Sequence, residues 1–107
     1  MKYHKLKLMP EFECWPVWFG GEYMIEGCVD PAILPLSNKL VEDLNDWTDW
    51  WDRQYNRQDP LSSGFKDTGE AARFNARGRE LLEQLKLEMP DTEWTLRLPQ
   101  QSGLRTG

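Results

Sequence analysis

The stretch of sequence that decides the fold is residues 37–57, SNKLVEDLNDWTDWWDRQYNR. Its large apolar side chains recur at the spacing of a helical stripe: Leu40, Leu44, Trp47, Trp51 and Tyr55. This spacing places them on one face of an α-helix. The opposite face carries charged residues, namely Glu42, Asp46, Asp49 and Arg53. The sequence therefore predicts an amphipathic helix, for which Ser37 is a suitable N-cap.

A second stripe of the same spacing follows downstream, made of Phe74, Gly78, Leu81, Leu85 and Met89. Asp67 and Glu70 precede it at the spacing of a capping box, and Pro90 prevents the helix from continuing. The sequence thus predicts a second helix whose apolar face matches that of the first.

Four other segments have the alternating or aromatic composition of β-strands, and they are residues 2–9, 12–19, 22–26 and 93–98. Gly20 and Gly21 indicate a hairpin turn. Residues 27–36 contain two prolines and are predicted to form a crossover loop, and residues 58–66 to form an irregular connection. Two helices separate the last strand from the others, so we expect the last strand to pair with the first.

The order β-β-β-α-α-β predicts an α+β two-layer sandwich. Its mostly antiparallel four-stranded sheet would carry both helices on one face. A chain of 107 residues is the size of one domain, which we place at residues 1–98. Residues 99–107 show no pattern and are predicted to be a flexible C-terminal tail.

The net charge of −5 argues against a nucleic-acid partner and is compatible with a basic protein as partner. The sequence contains no run of about 18 apolar residues, so no membrane-spanning segment is predicted. It also lacks the apolar region of a signal peptide. The expected location is therefore the cytoplasm, where Cys14 and Cys28 would be reduced.

Candidate metal and catalytic groups are few. Cys14, Cys28 and His4 lack the spacing of a zinc site, which usually takes four ligands, so we predict no metal and no cofactor. His4 and Cys14 lie on neighbouring predicted strands and could be close, but nothing else in the sequence supports a catalytic pair, which also needs a third group to orient it. The protein is therefore not expected to be an enzyme.

The acidic residues of the first helix are more informative, because five of them fall within eleven residues. A solvated helix face would explain such a run, but aspartate is a poor residue for stabilising a helix interior. Trp50 borders these carboxylates at the edge of the apolar stripe, as an interface anchor would. Alternatively, Trp50 packs under the 58–66 connection, where Phe65 is predicted to fill the helix–helix junction. The predicted partner-binding residues are Glu42, Asp43, Asp46, Asp49, Trp50 and Asp59.

The segment LPLSNKLVEDLNDWTDWWDRQYNRQDPLSSGF, followed by a helix with the pattern F-x3-G-R-E-L-L-E-Q-L and a short strand, spans Leu34 to Leu98. It resembles the immunity proteins of contact-dependent growth inhibition systems. The resemblance implies a cytoplasmic protein that binds a cognate toxin and occludes its active site. Many such toxins are basic nucleases, which suits an acidic partner with six tryptophans. Two alternatives remain: a regulatory or homodimeric interaction protein, and a small enzyme centred on His4 and the cysteines.

Overall fold

The structure, a computed structural model, describes residues 4–20, 27–55, 58 and 64–99. Its strands are β1 (Lys5–Leu8), β2 (Val17–Phe19), β3 (Cys28–Val29) and β4 (Glu93–Leu96). Its helices are α1 (Asn38–Asp52) and α2 (Thr68–Glu88), and a short 3-10 helix, Pro31–Ile33, lies between β3 and α1. This order of strands and α-helices confirms the predicted β-β-β-α-α-β arrangement.

The four strands form one sheet in the order β3-β2-β1-β4. β1 is antiparallel to β2, with Leu6 opposite Phe19, and parallel to β4, with Leu6 opposite Trp94. The predicted pairing of the last strand with the first is thereby confirmed. Leu6, Leu8 and Trp94 are buried in the same core as the apolar faces of both helices.

The second and third strands differ from the prediction. Only Val17–Phe19 of the predicted strand 12–19 is extended and paired, because residues 9–16 form a loop closed by a 2.8 Å hydrogen bond from Met9 N to Pro16 O. Glu13 has a φ of 60°, which interrupts any extended run. The predicted strand 22–26 lies outside the described residues. The third strand is Cys28–Val29, within the predicted crossover loop.

The two helices begin where their caps predict. The Ser37 Oγ atom accepts a 3.2 Å hydrogen bond from Leu40 N, and the Asp67 carboxylate accepts one of 2.9 Å from Gly69 N. The α1 stripe is buried at Leu40, Leu44, Trp47 and Trp51, and the α2 stripe at Phe74, Gly78, Leu81, Leu85 and Met89. Both apolar faces therefore point into the core as predicted.

Trp47 and Phe74 form the centre of the contact between the helices. Their rings stack at a centroid distance of 4.6 Å, and Trp47 Nε1 donates a 3.0 Å hydrogen bond to Phe74 O. A Cβ atom on Gly78 would lie 2.8 Å from Trp47 Cζ2. Glycine at this position thus lets the Trp47 indole lie directly against the α2 backbone.

Two further observations bear on the predicted domain plan. Neither α1 nor α2 has the length and apolar character that crossing a lipid bilayer requires. Of the predicted tail, only Pro99 belongs to the described residues.

Candidate functional site

The outer face of α1 carries the predicted acidic residues. Because the apolar stripe faces the core, Glu42, Asp46 and Asp49 are exposed on the opposite side, with Arg53 at the end of the row. The three carboxylates form no ion pair within the part of the chain that the structure describes. Their charges are therefore available to an external partner.

Asp43 belongs to the predicted site but has internal partners. Its carboxylate lies 2.9 Å from Lys39 Nζ and 3.4 Å from an Arg77 guanidinium nitrogen of α2. The side chain is about one-fifth exposed, with a relative exposure of 21%. Asp43 thus joins the two helices, and its charge is largely balanced by these cations.

Trp50 is half-buried and makes specific contacts inside the protein. Its Nε1 donates a 2.8 Å hydrogen bond to Glu70 Oε2, and its ring meets Phe65 and Phe74 edge-on at centroid distances of 5.9 and 5.2 Å. These contacts agree with the alternative in which Trp50 packs beneath the connection between the helices. Phe65 also packs against Trp51 and Phe74, and it fills the junction as predicted. Asp59 lies outside the described residues.

The structure adds a feature that the sequence did not indicate, an acidic cleft between the loop 9–16 and α1. Its volume is about 500 Å³, and its lining residues are Glu13, Cys14, Trp15, Cys28, Asn45, Thr48, Asp49 and Asp52. Two hydrogen bonds hold the loop against α1: Glu13 N donates to Asp52 Oδ1 at 2.9 Å, and Thr48 Oγ1 donates to Cys14 O at 3.2 Å. The cleft adds carboxylates to those on the outer face of α1.

Trp15 is the most exposed of the six tryptophans, with 45% of its surface accessible. It stands in the cleft beside the carboxylates of Glu13, Asp49 and Asp52. Sequence reasoning missed this residue because it assigned Trp15 to a strand. The available signal was Pro16, since a proline directly after an aromatic residue favours a loop over a central strand.

The cleft also contains the two thiols, but the structure does not bring His4 to them. His4 precedes β1, whereas Cys14 lies in the loop that follows the other end of that strand, and a strand advances about 3.3 Å per residue. The pKa of the Cys14 thiol is raised by burial and then by Cys28, Glu11 and Asp52. A raised pKa favours the protonated thiol, which is the weaker nucleophile.

Within the described residues, no three carboxylate, thiol or imidazole side chains are placed to hold a metal ion. The arrangement of the cleft instead suits the binding of cations. Three carboxylates surround an exposed indole whose π face attracts positive charge.

Comparison with known families shows a match over residues 4–97 to the family described as Serratia CdiI immunity protein-like. A search of curated proteins finds no significant match. The family match extends from the residue before β1 to the residue after β4, so it includes the whole described sheet and both helices. The chain therefore belongs to the Serratia CdiI immunity protein-like family.

Proposed function

We propose that this protein binds a cognate toxin domain in the cytosol and neutralises it by occlusion. The family supports a role in immunity against contact-dependent growth inhibition. The partner chemistry is inferred from charge: the net charge of −5 favours association with a basic domain, such as a nuclease that binds phosphates through lysine and arginine.

The observation that carries the proposal is a continuous acidic surface, made of Glu42, Asp46 and Asp49 on α1 together with Glu13 and Asp52 in the cleft. The three α1 residues span about 10 Å along the helix axis, at a rise of about 1.5 Å per residue. This row is long enough to meet several cations of a phosphate-binding groove at once. A toxin covered in this way would lose access to its substrate.

Trp15 is the aromatic group best placed to anchor the partner. Interface hot spots are enriched in tryptophan because a large, rigid ring excludes water from neighbouring polar contacts. An arginine or lysine inserted into the cleft would meet the Trp15 ring and two or three carboxylates together. Trp50 and Asp43 lie nearer the α2 side, and in this proposal they border the surface and support it.

The proposed activity is binding alone. Among the described residues that line the cleft, only Cys14, Cys28 and Thr48 have nucleophilic side chains, and none of the described lining residues is a histidine. The raised pKa of Cys14 also works against covalent catalysis by that thiol.

The decisive experiment is a binding titration against the toxin domain encoded by the neighbouring gene. The test variant is Asp46→Lys with Asp49→Lys. The matched control is Glu83→Lys with Asp91→Lys, two exposed residues that lie outside α1 and do not line the cleft. Both double variants raise the net charge by the same amount. A difference in affinity between them therefore shows that the position of the charges matters. We expect the test variant to lose several kcal/mol of binding, with like charges now facing each other, and the control to lose little.

The same titration tests the anchor with Trp15→Ala, for which we expect a loss of at least about 2 kcal/mol. Leu87→Ala is the matched control, because Leu87 is also a large exposed apolar residue, 72% accessible, at the far end of α2. Melting curves of all variants should remain close to that of the parent, since exposed charges contribute at most about 1 kcal/mol to stability. Equal affinities for test and control variants would place the interface elsewhere.

A further inference from the structure

Cys14 and Cys28 come from different parts of the fold and meet in the acidic cleft. Cys14 belongs to the loop 9–16, and Cys28 is the first residue of β3, opposite Trp18 of β2. Both are free thiols with half-buried side chains, and both line this cleft. The two cysteines are 14 positions apart in the sequence, and the fold brings both to the same cleft.

Both segments that carry the pair are tied to the rest of the fold by hydrogen bonds. The loop is closed at its base by the Met9–Pro16 hydrogen bond and fixed to α1 through Asp52 and Thr48. β3 is fixed by its ladder with β2, where Val29 lies opposite Val17 and both side chains are buried. The thiols are thus positioned by long-range contacts on either side.

We propose that Cys14 and Cys28 are a redox-active pair that closes to an intramolecular disulfide when the protein meets a low-molecular-weight disulfide. In the first step one cysteine thiolate attacks the oxidant, so a mixed disulfide forms and one small thiol leaves. In the second step the other cysteine attacks the protein sulfur of that mixed disulfide and releases the second small thiol. Two protein thiols are oxidised and one small disulfide is reduced to two thiols.

The charges around the pair determine how readily it reacts. Burial, and then Cys28, Glu11 from the loop and Asp52 from α1, raise the pKa of Cys14 and so favour its protonated form; Asp49 and Glu13 also line the cleft. Because the thiolate is the attacking species, the reaction is slow at neutral pH and accelerates as the pH rises. The pair therefore stays reduced under mild conditions and closes only on sustained exposure to an oxidant. This inference concerns the two thiols alone and does not depend on the identity of the toxin.

The test is incubation of the purified, reduced protein with glutathione disulfide, followed by intact mass measurement and counting of free thiols. We expect a mass loss of two hydrogens, disappearance of both thiols, and no accumulation of glutathione adducts. The rate should rise about tenfold per pH unit below the thiol pKa. In Cys28→Ser or Cys14→Ser, the remaining cysteine should instead stop at a stable glutathione adduct.

The unfolded chain in urea is the control for geometry. The unfolded chain has the same sequence but does not hold the two cysteines near each other. Its mixed disulfide with glutathione should therefore accumulate, before the intramolecular disulfide forms, to a level at least tenfold higher than in the folded protein. Persistent glutathione adducts on the folded wild-type protein, disulfide-linked dimers, or two thiols that survive the treatment would each overturn the proposal.

Discussion

Replacement of Gly78 by alanine tests whether the Trp47 indole lies directly on α2. A Cβ atom at this position would be 2.8 Å from Trp47 Cζ2, which is closer than real Cβ atoms come to a neighbour. It would also be 3.0 Å from Leu98 Cδ2, a tight contact. Trp47 has little freedom to retreat, because it is 2% exposed, stacked on Phe74 and hydrogen-bonded to the Phe74 carbonyl. The extra methyl group must therefore displace one of these contacts.

Two opposing terms determine the size of the effect. Inserting a methyl group into a well-packed core typically costs about 1–3 kcal/mol. Alanine in place of glycine inside a helix stabilises the helix by up to about 1 kcal/mol. The expected net result is a destabilisation of about 1 kcal/mol. For a chain of this length, that lowers the melting temperature by about 4 °C.

Gly69→Ala is the matched control in the same helix. A Cβ there would have its nearest neighbours at 3.4 Å, in ordinary contact, so the helix-forming advantage of alanine is not cancelled. Gly69→Ala should therefore leave stability unchanged or raise it by up to about 1 kcal/mol. Chemical denaturation of the parent and both variants gives the two changes in unfolding free energy under identical conditions.

A double variant of Gly78 and Trp47 tests the contact between the two helices directly. If Trp47 causes the cost, then Trp47→Phe should remove part of it, and the double variant should show a coupling of about 0.5 kcal/mol or more. Equal effects of the two glycine substitutions, with no coupling to Trp47, would refute the inferred contact between the helices.

Two other substitutions test contacts described above. Trp50→Phe removes the hydrogen bond to Glu70 and part of the ring that packs against Phe65 and Phe74. It should cost at least about 1 kcal/mol in a melting experiment while leaving toxin affinity nearly unchanged. A large loss of affinity with normal stability would instead make Trp50 a direct anchor. Ser37→Ala removes the N-cap of α1 and the hydroxyl that donates to Glu88 Oε2 at 2.8 Å, and should cost about 1–2 kcal/mol in denaturant unfolding. Ser37→Thr keeps a capping hydroxyl and should lose much less, so an equal loss in Ser37→Thr would mean that the side-chain oxygen is not the cause.

The helices were predictable because their information is local. The spacing of Leu40, Leu44 and Trp47 identifies the buried face of α1 whatever surrounds it, and Ser37 and Asp67 mark helix starts within a few residues. The pairing of β4 with β1 also followed, since the two intervening helices exclude a hairpin with β3. The acidic outer face of α1 could be predicted from the helical period alone.

The cleft was not predictable in this way, because its members come from separate elements. The Glu13 amide donates a hydrogen bond to Asp52, which is 39 positions away in the sequence. The backbone at Glu13 also has a positive φ, which the local sequence pattern does not predict. Trp15 and Trp50 show the same difficulty. Both lie near acidic residues in sequence, yet tertiary packing leaves Trp15 exposed and directs the Trp50 N–H to Glu70.

The parallel pairing of β1 with β4 has a consequence for protein synthesis. Lys5 finds its partner only when Glu93 has been made, so one side of β1 has no ladder partner while both helices are being translated. At about 5–20 residues per second, that interval lasts several seconds or more. A strand with unpaired amide groups is a template for aggregation. The synthesis of β4, and not the formation of α1, is therefore the event after which both sides of β1 can be paired in a newly made molecule.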